Sequence, residues 1–140
     1  MSMELTQADF EALARFRFAI RQYLAFAEQG AKAVGLTSQQ YQALLAIKAQ
    51  AYSGAMTVGE LAKRLLLRPH SAAELIDRLA AIDVIVREPA LQDRRVVNIR
   101  LTSRGEALLA QLSERNLREL RAISPAFEKL LGRVAGLVEP

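Results

Sequence analysis

The chain has 140 residues with a formal net charge of +4 and 51% hydrophobic residues, close to the size and balance of one globular domain. It contains no cysteine, which excludes disulfides, thiolate nucleophiles and thiol-based redox sensing. No stretch offers the roughly 18 consecutive apolar residues of a membrane-spanning helix. The first residues have neither the basic region nor the apolar core of a signal peptide, so a cytoplasmic location is the expectation.

The positive charge is unevenly spread. Residues 1–56 carry a net +1, residues 57–105 a net +3, and residues 106–140 are neutral. Within the middle stretch, Arg87 to Arg104 hold five arginines against only Glu88 and Asp93.

In chain order, residues 4–32 are predicted as a helix, because Leu13, Phe16, Ile20, Leu24 and Ala27 recur at spacings of three and four. Gly30 and Gly35 are expected to loosen its end. Thr37 with Gln40 three residues later has the form of a capping box, opening a helix with Tyr41, Leu44 and Leu45 that ends between Ala51 and Gly54. Thr57 with Glu60 repeats the device for a short helix that buries Leu61, Ala62 and Leu65. Arg68-Pro69 opens the next helix, since proline suits a first turn whose N–H has no partner anyway. Its apolar stripe is Ala72, Leu75, Ile76, Leu79 and Ile82.

At Val84 the period changes to that of a strand, Val84 to Arg87. After a polar loop with Pro89, Val97, Ile99 and Leu101 alternate with Val96, Asn98 and Arg100. The pair forms a β-hairpin. Thr102 then caps a helix from about Ser103 to Ala122, and Ser124-Pro125 starts a last helix with Phe127, Leu130, Leu131, Val134 and Leu137. The expected class is mainly α with a small β-hairpin wing. Two short helices, a tight turn and a two-stranded ribbon are the parts of a winged helix-turn-helix, here with additional N- and C-terminal helices.

Enzyme signals are scarce. His70 is the only histidine and has no nucleophile elbow near it, and no glycine-rich phosphate loop is present. One histidine without cysteines is a poor set of metal ligands. No catalysis, cofactor or metal is therefore expected.

The helix from Pro69 to Ile82 is the candidate DNA reader, because the second helix of such a motif enters the major groove through its N-terminal part. The side chains so placed are Arg68, His70, Ser71, Ala73 and Glu74, with Arg78 one turn further on. Ser71 can donate or accept, and Glu74 can accept from a cytosine amino group. Capping and solvation of a helix end is the other role open to His70 and Ser71. Asp93, Arg94 and Arg95 fall at the wing tip, where a carboxylate can orient a guanidinium and arginine can read a narrow minor groove. Wide apolar stripes on the terminal helices suggest a homodimer, whose two reading helices would meet half-sites roughly 34–36 Å apart. The alternative is a winged-helix module that binds protein, with an incidental arginine cluster.

The stretch Asp93-Arg94-Arg95-Val96-Val97-Asn98-Ile99-Arg100-Leu101-Thr102-Ser103-Arg104-Gly105 resembles the wing signature of the MarR family of bacterial regulators: Asp-x-Arg, five residues, Leu-Thr-x-x-Gly. Gly35 to Tyr41, Thr57 to Leu65 and Leu75 to Leu79 follow the family's order. The resemblance implies one domain, with about residues 1–34 and 106–140 as dimerisation helices around a DNA-binding lobe at about 36–105. It further implies a homodimer on a pseudo-palindromic operator of double-stranded DNA, often a repressor released by a small aromatic or anionic effector. By position, Arg95 would enter the minor groove, Asp93 would orient it and Arg94 would contact phosphate. Arg17, Arg21, Tyr23 and Tyr41 could bind an anionic aromatic compound, or could be interface or surface residues. The reading helix departs from the family's usual polar start, since Ala73 removes a hydroxyl and Glu74 adds negative charge.

Overall fold

A computed structural model describes residues 2–51, 54–91, 93 and 95–137. The elements are α1 (Gln7–Ala33), α2 (Ser38–Ala49), α3 (Val58–Arg64), α4 (Pro69–Ala81), β1 (Ile85–Pro89), β2 (Val97–Leu101) and α5 (Ser103–Val134). The chain divides into two compact units, one of residues 31–112 and one of residues 1–30 with 113–140.

Helix starts follow the caps written in the sequence. Thr37 Oγ1 accepts from Gln40 N at 3.0 Å while Gln40 Oε1 accepts from Thr37 N at 2.9 Å, a complete capping box for α2. Thr57 Oγ1 accepts from Glu60 N at 3.2 Å and caps α3. At α4 the cap residue Arg68 makes no side-chain bond, and Pro69 occupies the first helical position instead. A further box opens α1: Thr6 and Asp9 exchange backbone-to-side-chain bonds of 2.8 and 3.3 Å.

Four helix ends share one device. After α1, α3, α4 and α5 the chain turns through a left-handed residue, at Gly35, Leu66, Asp83 and Gly136. Each time, the following N–H reaches back five residues: Leu36 to Ala31 O (2.9 Å), Leu67 to Ala62 O (2.8 Å), Val84 to Leu79 O (3.3 Å) and Leu137 to Gly132 O (2.8 Å). This is the Schellman turn, which satisfies terminal carbonyls at the expense of one positive φ. Glycine accepts that angle freely, and a short polar aspartate tolerates it. Leu66 does neither.

In the 31–112 unit the core gathers Leu44 from α2, Met56 before α3, Leu61 from α3, Ile76 and Leu79 from α4, Val84, and Ile85 from β1. Ile99 and Leu101 of β2 and Leu109 and Leu112 of α5 complete it. The hairpin is antiparallel, with Ile85 opposite Leu101 and Pro89 opposite Val97. Ile99 also donates its N–H to Met56 O at 2.8 Å, so β2 is bridged on its second edge by the segment before α3. Only Ile99 and Leu101 of the alternating set are buried. Val97, at the open end of the strand, is exposed.

The base of the hairpin is clasped by Thr102. Its hydroxyl donates to Asp83 O (2.7 Å) and accepts from Gly105 N (3.0 Å), while its backbone N donates to Val84 O (3.1 Å). Gly105 fits here because a Cβ would fall 2.1 Å from Val84 O.

In the other unit, Phe16 of α1 and Phe127 of α5 lie 5.5 Å apart between ring centroids. Arg115 stacks over Phe26 at 3.7 Å and donates Nη1 to Phe26 O at 2.7 Å.

Two expectations are corrected. The separate last helix does not form, because α5 runs unbroken through Pro125 to Val134. Pro125 deprives Arg121 O of its usual donor, and Ser124 Oγ donates to that oxygen instead, at 3.4 Å. Gly30 does not loosen α1, which continues to Ala33. Gly30 makes room for Arg115, whose Nη1 would lie 2.5 Å from a Cβ at that position.

Two substitutions test these accounts by thermal or chemical unfolding. Leu66→Gly should stabilise the lobe by about 0.5–1 kcal/mol, since relief of the positive φ outweighs the added freedom of the unfolded chain and Leu66 is 92% exposed. Gly105→Ala should destabilise it by about 1–3 kcal/mol, the usual range for overpacking, because the obstructing atom is backbone.

Candidate nucleic-acid interface

Helix α4, the expected reader, is amphipathic in the simplest way. Ala72, Leu75, Ile76 and Leu79 turn inward, and Arg68, His70, Ser71, Glu74, Asp77 and Arg78 are exposed. Ala73 is half-buried, so of the predicted reading residues it offers the least surface. His70 Nε2 stands 3.1 Å from Glu74 Oε1, one turn along the same face. Glu74 therefore meets solvent with an imidazole as its neighbour.

The wing tip is built around a carboxylate clamp. Asp93 Oδ1 accepts from the backbone N of Arg95 at 3.0 Å and from its Nε at 3.2 Å, while Oδ2 accepts from Nη2 at 3.3 Å. The fork-to-fork pairing fixes the plane of the guanidinium. The Arg95 side chain is nevertheless 91% exposed, so the clamp holds it outward. The Arg95 side chain first, and its backbone N–H second, hold the Asp93 carboxyl below the ordinary aspartate range. Arg94 lies outside the described residues.

Two ion pairs brace the wing. Arg87 of β1 pairs with Asp77 of α4, tying the hairpin to the exposed face of that helix. Arg100 of β2 pairs with Glu88 of β1 across the hairpin. Charge counting along the sequence registers these arginines without their partners. The hairpin register brings Glu88 and Arg100 together, and opposite charges on facing strands were the available signal.

The other candidates stand apart from this surface. Arg17 and Arg21 are exposed on α1, and Tyr23 lines a cavity of about 330 Å³ between α1 and α5 with Phe127 and Leu130. Tyr41 is 8% exposed and belongs to the core of the 31–112 unit. Among the described residues, no group of three or more His, Asp or Glu side chains is assembled as a metal site, and no helix is long and apolar enough to cross a membrane.

A family model described as MarR family matches residues 34–96, from the end of α1 to the wing tip. The matched segment, from α2 through β1 to the wing tip, is thus similar to the MarR family. The uncharacterized HTH-type transcriptional regulator YsmB of Bacillus subtilis is 32% identical over 74 residues, covering 53% of this chain and 51% of that protein. The HTH-type transcriptional repressor MdtR of the same organism is 32% identical over 72 residues, or 51% and 44% of the two chains. The chain thus spans about half the length of these curated relatives. Among solved structures, a point mutant of S. aureus MepR bound to an oligodeoxyribonucleotide superposes with a TM-score of 0.68 at 23% identity, covering 87% of this chain and 84% of that one. At that identity the likeness establishes the fold.

The clamp makes a pH-dependent prediction. Because the folded-state pKa of Asp93 is depressed, the clamp stabilises the wing above the ordinary aspartate range, and that support fades as pH falls through the depressed value. A carboxyl-carbon NMR titration should give Asp93 a midpoint below that of an aspartate in an unfolded peptide. In Arg95→Ala the midpoint should move back up.

Proposed function

We propose that the chain is a transcription regulator that binds duplex DNA as a homodimer, with α4 in the major groove and the wing in the adjacent minor groove. The observation that carries this reading is the clamped, outward-held Arg95. An arginine fixed in plane at a hairpin tip matches the requirement for reading minor-groove width and potential. The exposed Arg68, His70, Ser71, Glu74 and Arg78 are the set offered to the major groove. The MarR-family match over residues 34–96 and the DNA-bound state of the similar MepR structure support the same direction.

Homodimerisation is supported by apolar surface in the unit of residues 1–30 and 113–140. Phe10, Leu13, Phe18 and Leu24 of α1 and Leu117 and Leu131 of α5 are between 46% and 60% exposed. Side chains of this size left in water call for a partner surface. Repression is the mode favoured by the likeness to MdtR. A small aromatic or anionic effector would use the Tyr23 cavity, with Arg17 and Arg21 exposed on the same helix.

Fluorescence anisotropy on duplex DNA from the chain's own upstream region tests the reading. Log affinity should fall linearly with log salt, by about 0.9 per phosphate neutralised. Binding that is undetectable at low salt, or flat with salt, overturns it. Arg95→Ala should weaken binding by roughly 1–3 kcal/mol and leave the dimer intact. Light scattering should give twice the 15.5 kDa chain mass, and Phe18→Glu should shift it toward one.

A further inference from the structure

The wing tip holds a second side chain that the clamp does not use. Beyond β1, Ala90 N donates to Val96 O at 2.8 Å and Val96 N donates to Asp93 O at 3.0 Å, closing the loop at the apex of the hairpin. Inside that closure Leu91 is 104% exposed, more than any other large apolar residue described. It makes no packing contribution to its own chain. Single exposed leucines are common on protein surfaces, but this one sits four residues from Arg95 on the same short loop.

The floor of the minor groove presents hydrogen-bond acceptors at every base pair, and at guanine–cytosine pairs it adds the guanine amino group, which stands up into the groove. An arginine profits from the acceptors. A leucine profits from depth, because its methyl groups pack against the groove floor only where that floor is unobstructed. Over guanine the same side chain meets the amine, excludes the water that served it and offers no acceptor in return.

We propose that Leu91 is a specificity-determining wedge that enters the minor groove beside Arg95 and rejects guanine–cytosine pairs at the step it covers. This rests on the DNA-binding reading above, and it adds to the arginine a discrimination that does not depend on charge.

The test uses duplexes that the wild-type chain recovers from a library with a random core, and footprinting locates the steps under the wing. At those steps A·T is replaced by G·C or by inosine–cytosine, which lacks the amine. Wild type and the size-matched Leu91→Met should lose about tenfold in affinity on G·C and regain it on inosine–cytosine. Leu91→Ser should bind the A·T and G·C duplexes within about threefold of each other. Its salt slope should match wild type, because no phosphate contact is removed, and its melting temperature should be unchanged because the side chain is exposed. A Leu91→Ser variant that keeps the tenfold discrimination overturns the proposal and assigns the preference to groove width and Arg95. Recovery of no duplex at all by the wild type overturns the DNA-binding reading itself.

Discussion

The 31–112 unit depends on one threonine hydroxyl and one missing Cβ. Thr102, just after β2, is bonded twice to the residues just before β1: its hydroxyl donates to Asp83 O, and its N–H donates to Val84 O. The same oxygen caps α5 through Gly105 N. Three events are thereby fixed at one point: the exit from α4, the opening of β1 and the start of α5. The spacing Leu-Thr-x-x-Gly has a direct physical meaning here. Leucine ends β2 in the core, threonine ties the root, and glycine three residues on leaves space for the Val84 carbonyl. With the root held, Ile85 must face Leu101, and the register toward the tip follows from there.

Local features were legible in the sequence because their physics is local. A capping threonine acts on the residue three positions on, so Thr37 and Thr57 could be placed before any coordinates. Asp93 and Arg95 are two residues apart, and their pairing is of the same kind. The misreadings came from features whose outcome is settled by a second group. Pro125 has the signature of a helix start, yet Ser124 supplies the donor that proline lacks and the helix continues. Gly30 has the signature of a helix end, yet its purpose is to admit an arginine 85 residues further along the chain. Met56 has no strand pattern around it, and only the fold brings its carbonyl to Ile99 N.

The candidate surface divides along the same line. Exposure of the α4 face follows from the period of its apolar stripe, so Arg68, His70, Ser71, Glu74 and Arg78 were open to prediction. Asp77 was not singled out, because its significance lies in Arg87, ten residues away on another element. The half-buried Ala73 shows the limit of spacing arguments, since a residue at the border of a stripe can fall to either side.

The bracing pairs also bear on how a regulator of this design would search for its site. Arg87 and Arg100 each start with a carboxylate partner. Shifting either to a phosphate exchanges one charged neighbour for another, so the net return from an arbitrary stretch of DNA is small. Weak hold on random sequence means short residence there and rapid transfer along the duplex. For such a regulator, selectivity would then arise in part from kinetics, with long residence only where the tip and α4 fit together.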